Sequence, residues 1–171
     1  FIWWNSTRMH IFTHLKAASV GKTGLGVYAD GMVEHDRQVG ELLAKLEALG
    51  ELENTIIMYS SDNGAETFTW PDGGTTMFRG EKNTQWEGGY RVPTFIRWPG
   101  VIAAGRVSDV PTSTVDFFPT LLELTGKPAA SSAVIDGVDP TAQIAWLAAI
   151  LALMVTLTPF ASALALKVGV E

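Results

Sequence analysis

Apolar and polar positions along this chain first predict one long helix and the strand that follows it. From Asp30 to Leu49 the apolar residues recur at helical spacing, and Gly50 stands where a helix would end. The run from Thr55 to Tyr59 is continuous, apolar and partly β-branched, as expected for a strand covered on both faces. A helix followed by a buried strand favours an α/β fold with a parallel sheet and flanking helices.

Shorter patterns predict the remaining elements. Phe1 to Trp4 is aromatic and apolar, which predicts a buried strand leading into a polar segment with two histidines. Residues 64–89 form a long loop rich in glycine, threonine and aspartate, and loops of that length are usually functional. A further strand is predicted over 93–98. Asp116 is expected to cap a helix that runs to Leu124 and closes at Gly126.

The end of the chain has a different composition. Ile144 to Leu166 holds 23 positions without a charged residue, which is long enough to cross a bilayer of about 30 Å. Pro159 would kink such a helix. The sequence therefore predicts an apolar helical tail over 140–171, apart from a domain over 1–139. A membrane span, an amphipathic core helix and an unrelated, frame-shifted end all remain open.

Charge and cysteine content exclude some classes of partner and site. The net charge is −6, and the 12 lysines and arginines are scattered, which argues against binding to nucleic acid. There is no cysteine, so disulfides and thiolate metal sites are excluded. Phe1 opens in an apolar run without an initiator methionine or leader pattern, so we expect a fragment that lacks its beginning. The compartment stays undetermined, with export or membrane association as options.

Asp62 and Asn63 are the first candidates for chemistry. They come directly after the predicted strand, and ligands in open α/β sheets bind beyond the carboxyl ends of strands. A carboxylate and an amide oxygen suit Ca²⁺ or Mg²⁺, although they supply only part of a full coordination shell. The plain alternative for Asp-Asn-Gly is a turn.

Lys82 and the histidines complete the candidate set. Lys82 lies 20 positions after Asp62 in a glycine-flanked loop, and its ammonium suits the oxygens of a sulfate ester. Its alternative is a solvated surface lysine. His10 and His14 follow the first predicted strand and could act as acid, base or donor, or lie exposed. His35, beside two acidic residues of the helix, is expected on its solvated face.

Taken together, these motifs resemble the carboxyl-terminal part of the catalytic domain of arylsulfatase-type sulfatases, within the alkaline-phosphatase-like superfamily. The resemblance covers residues 1–139 and rests on the following ordered segments: the His10 loop, Ser61-Asp62-Asn63-Gly64, Gly80-Glu81-Lys82, Glu87-Gly88-Gly89, Val92-Pro93, Trp98-Pro99-Gly100 and Asp136-Gly137. It implies that Asp62 and Asn63 are ligands of a divalent cation, normally Ca²⁺. It also implies that Lys82 and His10 contact the sulfate of a small-molecule ester.

The same resemblance implies a nucleophile that this sequence lacks. In that family a hydrated formylglycine aldehyde, made from Cys or Ser, attacks sulfur. No Cys/Ser-x-Pro-x-Arg segment is present here, and the acidic pair that the family places on its first strand is also missing. We therefore expect a sulfuric ester hydrolase whose 171-residue chain is inactive in isolation. The alternatives are a phosphate or phosphonate ester hydrolase of the superfamily and an inactive membrane-anchored remnant.

Overall fold

The computed structural model describes residues 1–108 and 111–126, which belong to two compact units. The first unit comprises Phe1–Arg97 and the second begins at Trp98. The helices and strands are, in chain order, α1 Val27–Ala48, β1 Ile57–Ser60, α2 Glu87–Tyr90, β2 Thr94–Arg97 and α3 Phe117–Leu124. Helices and a small sheet together confirm the α/β class, and all the candidate site residues lie in the first unit.

Helix α1 confirms the predicted long helix and begins slightly earlier, at Val27. At its end the N–H of Gly50 donates to Glu47 O at 2.9 Å, and the N–H of Glu51 donates to Leu46 O at 2.9 Å. Gly50 has a φ of 71°, the left-handed conformation that this pair of bonds requires. The position of Gly50 in the sequence was therefore enough to predict where the helix ends.

The face of α1 that is buried is polar. Asp30, Glu34 and His35 are its buried side chains, and no apolar side chain is fully buried within residues 1–108 and 111–126. The expectation that His35 lies on a solvated face is wrong, because only 8% of the residue is exposed. Its Nε2 lies 3.1 Å from the Tyr59 hydroxyl oxygen, so tertiary contact with β1 removes it from water.

The two predicted strands form, but the predicted parallel sheet does not. In the described residues β1 and β2 make a two-stranded antiparallel sheet, with Ile57 opposite Arg97 and Ser60 opposite Thr94. A parallel pairing needed a strand ahead of α1 as the first member of a strand–helix–strand unit. No strand precedes α1 within residues 1–108, so β1 pairs with β2, which returns through the long loop.

Cover on both faces of β1 is also not observed. Residues along β1 alternate between half-buried and exposed, and Met58 remains 43% exposed. The Tyr59 side faces α1 through His35 and also meets the Phe95 ring of β2 at 6.2 Å between centroids. The apolar run therefore has one packed face and one open face in this structure.

The segment Phe1–Trp4 is not a strand, contrary to the prediction from its composition. Phe1 is 95% exposed, and Trp3 donates from Nε1 to the side chain of Asn5 at 3.0 Å. Trp4 stacks on His35, with centroids 5.8 Å apart and planes 12° from parallel. Aromatic residues favour a strand, but a strand forms only where a neighbouring strand is available to pair with it.

In the second unit, α3 confirms the predicted helix and its end at Leu124, followed by Gly126 with a φ of 62°. The assignment of Asp116 as the cap is wrong. Asp116 lies three residues after Ser113, and its carboxylate accepts the Ser113 N–H at 2.8 Å. The two residues share the capping box of a short 3-10 helix, Thr114–Asp116, which leads directly into α3; the sequence displays it as Ser followed by an acidic residue at the third position after it.

None of the helices within 1–108 and 111–126 has the length and apolar character needed to cross a membrane. The predicted tail over 140–171, including Ile144 to Leu166, lies outside the described residues. The boundary predicted at residue 139 lies there as well.

Candidate functional site

Asp62 and Asn63 follow directly from the end of β1. Asp62 is exposed and Asn63 is half-buried, and the Ser61 hydroxyl donates to Asn63 O at 3.2 Å. The pair thus occupies a turn at the carboxyl end of a strand, as its position in the sequence predicted. Both side chains offer hard oxygen atoms there.

Lys82 lies in a tight turn whose backbone is fixed on both sides. The N–H of Thr84 donates to Glu81 O at 3.0 Å, and the Thr84 hydroxyl donates to the same oxygen at 2.7 Å. Asn83 takes a φ of 70°, a left-handed conformation that asparagine tolerates better than most residues. Lys82 is half-buried at the second position of this turn.

Backbone hydrogen bonds join the Asp62–Asn63 turn to the Lys82 turn. The N–H of Gly64 donates to Gly89 O at 2.9 Å, and the N–H of Lys82 donates to Ala65 O at 2.9 Å. A Cβ on Gly64 would overlap the carbonyl oxygen of Gly88, so the two segments approach at a distance that only glycine allows. The structure thus brings three of the four predicted site residues into one folded loop.

Two arginines of the same loop are held against aromatic rings. The Arg79 guanidinium lies 3.8 Å from the centroid of the Trp86 ring, and that of Arg91 lies 4.3 Å from the centroid of Phe78. Such contacts are favourable and restrict the arginine side chains. Both guanidinium groups are therefore engaged with rings of their own segment.

Glu81 forms a further link that the sequence did not signal. Its Oε2 accepts the N–H of Thr67 at 2.7 Å and the Thr67 hydroxyl at 2.5 Å. The Thr67 hydroxyl, and then the Thr67 amide, lower the pKa of the Glu81 carboxyl below its ordinary value. No spacing rule connects these residues, because they meet only when the loop folds back on itself.

His10 lies in a different turn. Its N–H donates to Thr7 O at 3.0 Å, and its ring Nδ1 lies 3.1 Å from Ile11 O. The ring is exposed, as is that of His14. Among the described residues, no hydrogen bond or ion pair connects His10 with Asp62, Asn63 or Lys82.

The His10 turn is nevertheless fastened to α1 by buried charge. Glu34 accepts from Arg8 Nη2 at 2.7 Å and Nε at 3.3 Å, and from Lys16 N at 3.3 Å. The Ser19 hydroxyl, followed by Arg8, lowers the pKa of Glu34 to about 2. One turn earlier, Asp30 accepts from Gly21 N at 2.5 Å and from Thr23 N at 2.8 Å. In the sequence, these contacts are signalled by the i, i+4 spacing of Asp30 and Glu34, which places both acids on one face of the helix.

The donor set fits part of a calcium or magnesium site. Asp62 and Asn63 present a carboxylate and an amide oxygen, both suited to hard cations, whereas Ca²⁺ takes about six to eight oxygens. Within residues 1–108 and 111–126, no group of three or more His, Asp or Glu side chains gathers around a common point. These two residues would therefore be contributors to a shell and not its whole.

Comparison with known proteins shows which family this chain resembles. The family model described as Sulfatase matches residues 6–127. Human steryl-sulfatase (Homo sapiens) is 39% identical over 139 residues, which cover 77% of this chain and 24% of the human protein. N-acetylgalactosamine-6-sulfatase of Mus musculus is 38% identical over 141 residues, covering 81% of this chain and 27% of the mouse protein.

A solved structure agrees with these relatives. The PsFucS1 sulfatase from Pseudoalteromonas sp. superposes with a TM-score of 0.71 at 38% identity, over 77% of this chain and 27% of that one. The chain thus spans about a quarter of the length of the curated relatives that it matches.

Proposed function

Because this chain belongs to the sulfatase family, we propose that it carries the part of a sulfuric ester hydrolase that binds a divalent cation and the sulfate of its substrate. Asp62 and Asn63 are the proposed cation ligands, and Lys82 is the proposed sulfate-binding residue. His10 is proposed as a second group that contacts the ester. The substrate is a small-molecule sulfate ester.

The observation that carries this proposal is the pair of backbone bonds that connects Gly64 with Gly89 and Lys82 with Ala65. It supports a shared site, because residues 20 positions apart in sequence are held in one loop at the end of β1. A plain turn and a solvated surface lysine would not need to be joined in this way.

Each side chain has a distinct task in the proposed site. The bound cation supplies positive charge that stabilises negative charge on sulfate oxygens. Asp62 and Asn63 hold that cation through their oxygens. Lys82 binds a sulfate oxygen with its ammonium, and its fixed backbone orients the ester before reaction. The exposed ring of His10 is able to donate or accept a proton at the ester oxygen.

Formylglycine does not fit the residues of this sequence. The chain has no cysteine and no Ser-x-Pro-x-Arg segment from which the aldehyde is made. The proposal for these residues is therefore limited to binding, orientation and charge stabilisation.

Sulfate is favoured over phosphate as the ester. The matching family model and the relatives described above are all named as sulfatases. The phosphoesterase alternative has no comparable support.

The test uses a full-length protein in which this chain is joined to the upstream nucleophile segment that the resemblance implies, assayed with aryl sulfate and with the matching aryl phosphate. We expect sulfate hydrolysis that chelation abolishes and Ca²⁺ restores. Lys82→Ala should abolish most of it, whereas Lys45→Ala, on the exposed side of α1, should not. Faster hydrolysis of the phosphate, or equal activity in both lysine variants, would overturn the proposal.

A further inference from the structure

The side chain of Glu81 is the strongest link between the Lys82 turn and the segment that follows Asn63. One carboxylate oxygen accepts both the amide and the hydroxyl of Thr67, at 2.7 Å and 2.5 Å. Both residues are half-buried, so water competes less for these bonds than at an open surface. An ionised acceptor makes hydrogen bonds roughly twice as strong as a neutral one.

This link acts directly on Lys82 because Glu81 and Lys82 are consecutive. The main chain of Lys82 is also bonded to Ala65, two residues before Thr67. Two adjacent residues of one turn are therefore bound to two nearby residues of the other segment. Loss of the Glu81–Thr67 bonds leaves the main-chain bonds from Lys82 to Ala65 and from Gly64 to Gly89 to hold the two segments, so the turn is less constrained.

We propose that Glu81 is a positioning residue, which fixes the Lys82 ammonium relative to Asp62 and Asn63 by holding Thr67. The inference rests on the proposed function, because that function gives the position of the Lys82 ammonium its role. The link between Glu81 and Thr67 can be tested without an activity assay. Glu81 acts in this scheme as an acceptor of hydrogen bonds. Its negative charge contributes only by strengthening those hydrogen bonds.

Kinetics of four variants test the role in the same full-length protein. Glu81→Ala should lower kcat/KM by about 10- to 100-fold, since displacement of a binding group by about 1 Å costs up to about 100-fold. Glu81→Gln keeps a carbonyl acceptor and should retain activity within about threefold of the wild type. Thr67→Val removes one donor and should give an intermediate loss. The double variant Glu81→Ala/Thr67→Val should be no worse than Glu81→Ala alone, because coupled residues are not additive.

The pattern of these variants separates positioning from other roles. A purely structural role would lower thermal stability without changing kcat of the folded fraction. A role for the charge itself, at the cation or the ester, would make Glu81→Gln as damaging as Glu81→Ala and leave Thr67→Val harmless. Either result would overturn the proposal. Glu41→Ala, at an exposed ion pair on α1, serves as the control for loss of a glutamate.

Amide hydrogen exchange tests the link without an activity assay. In Glu81→Ala the amides of Thr67 and Lys82 should exchange at least about tenfold faster than in the wild type, as local opening becomes easier. In Glu81→Gln and Glu41→Ala both should stay protected. Unchanged exchange in Glu81→Ala refutes the link. Faster exchange in a protein without sulfatase activity refutes the proposed function and leaves the link standing.

Discussion

Gly64→Ala is the perturbation that tests most directly whether the two loop segments form one site. A Cβ at residue 64 would overlap Gly88 O and lie 2.8 Å from the Gly88 carbonyl carbon and 3.3 Å from Gly89 Cα. All of these are backbone atoms, which do not rotate away. Restoring ordinary contact with the Gly88 carbonyl group requires the segments to separate by at least about 1 Å.

That separation sets the expected magnitude. Overpacking of this kind typically costs about 1 to 3 kcal/mol of stability. Displacement of Lys82 from Asp62 and Asn63 by about 1 Å should lower kcat/KM by about 100-fold. The catalytic loss should therefore be much larger than the loss of folded protein.

The assay is hydrolysis of an aryl sulfate by the same full-length protein, with unfolding followed on the same samples. Gly40→Ala is the matched control, because its added Cβ meets no atom within 4 Å on the exposed side of α1. Alanine there should stabilise the helix by about 0.5 to 1 kcal/mol and leave kcat/KM unchanged. If Gly64→Ala keeps kcat/KM within about threefold of Gly40→Ala, the close approach of the two segments does not position Lys82 for catalysis, and the reasoning is refuted.

Three other predictions concern the cation, the isolated chain and acid stability. Asp62→Asn should weaken cation affinity so that added Ca²⁺ recovers part of the activity, whereas Lys82→Ala should lose about 100- to 1,000-fold in kcat/KM without recovery; indistinguishable metal titrations would contradict this. The purified 171-residue chain should hydrolyse aryl sulfate at the background rate, and metal-dependent turnover would contradict that. Because the pKa of Glu34 is lowered from 4.5 to about 2, its stabilising effect should be complete above a pH of about 4.5 and disappear as pH falls through about 2. Acid unfolding of Glu34→Gln should lack this component, and identical acid transitions would refute it.

Local patterns predicted the elements that depend on neighbouring residues. Helix α1 and its stop at Gly50 follow from spacing and from one residue that tolerates positive φ. Strands β1 and β2 follow from apolar runs between turn residues. The order of motifs such as Asp62-Asn63-Gly64 also identified the family, which the match of the Sulfatase model to residues 6–127 confirms.

Long-range contacts decided what the sequence reasoning missed. The run of residues in β1 carries no information about the direction of its partner, so the antiparallel pairing with β2 was not predicted. His35 looked solvated beside its charged neighbours, but contact with Tyr59 and Trp4 buries it. Phe1–Trp4 had the composition of a strand, but within the described residues it has no strand to pair with.

The candidate site shows the same division. Sequence alone determined which chemical groups are present: two oxygen ligands after a strand and a lysine between glycines, with no cysteine from which the family's nucleophile is made. Only the tertiary structure decided that Gly64 meets Gly89, that Lys82 is bonded to Ala65 and that Glu81 holds Thr67. Those contacts join residues 14 or more positions apart through an irregular loop, where no helical or strand period relates one side chain to another.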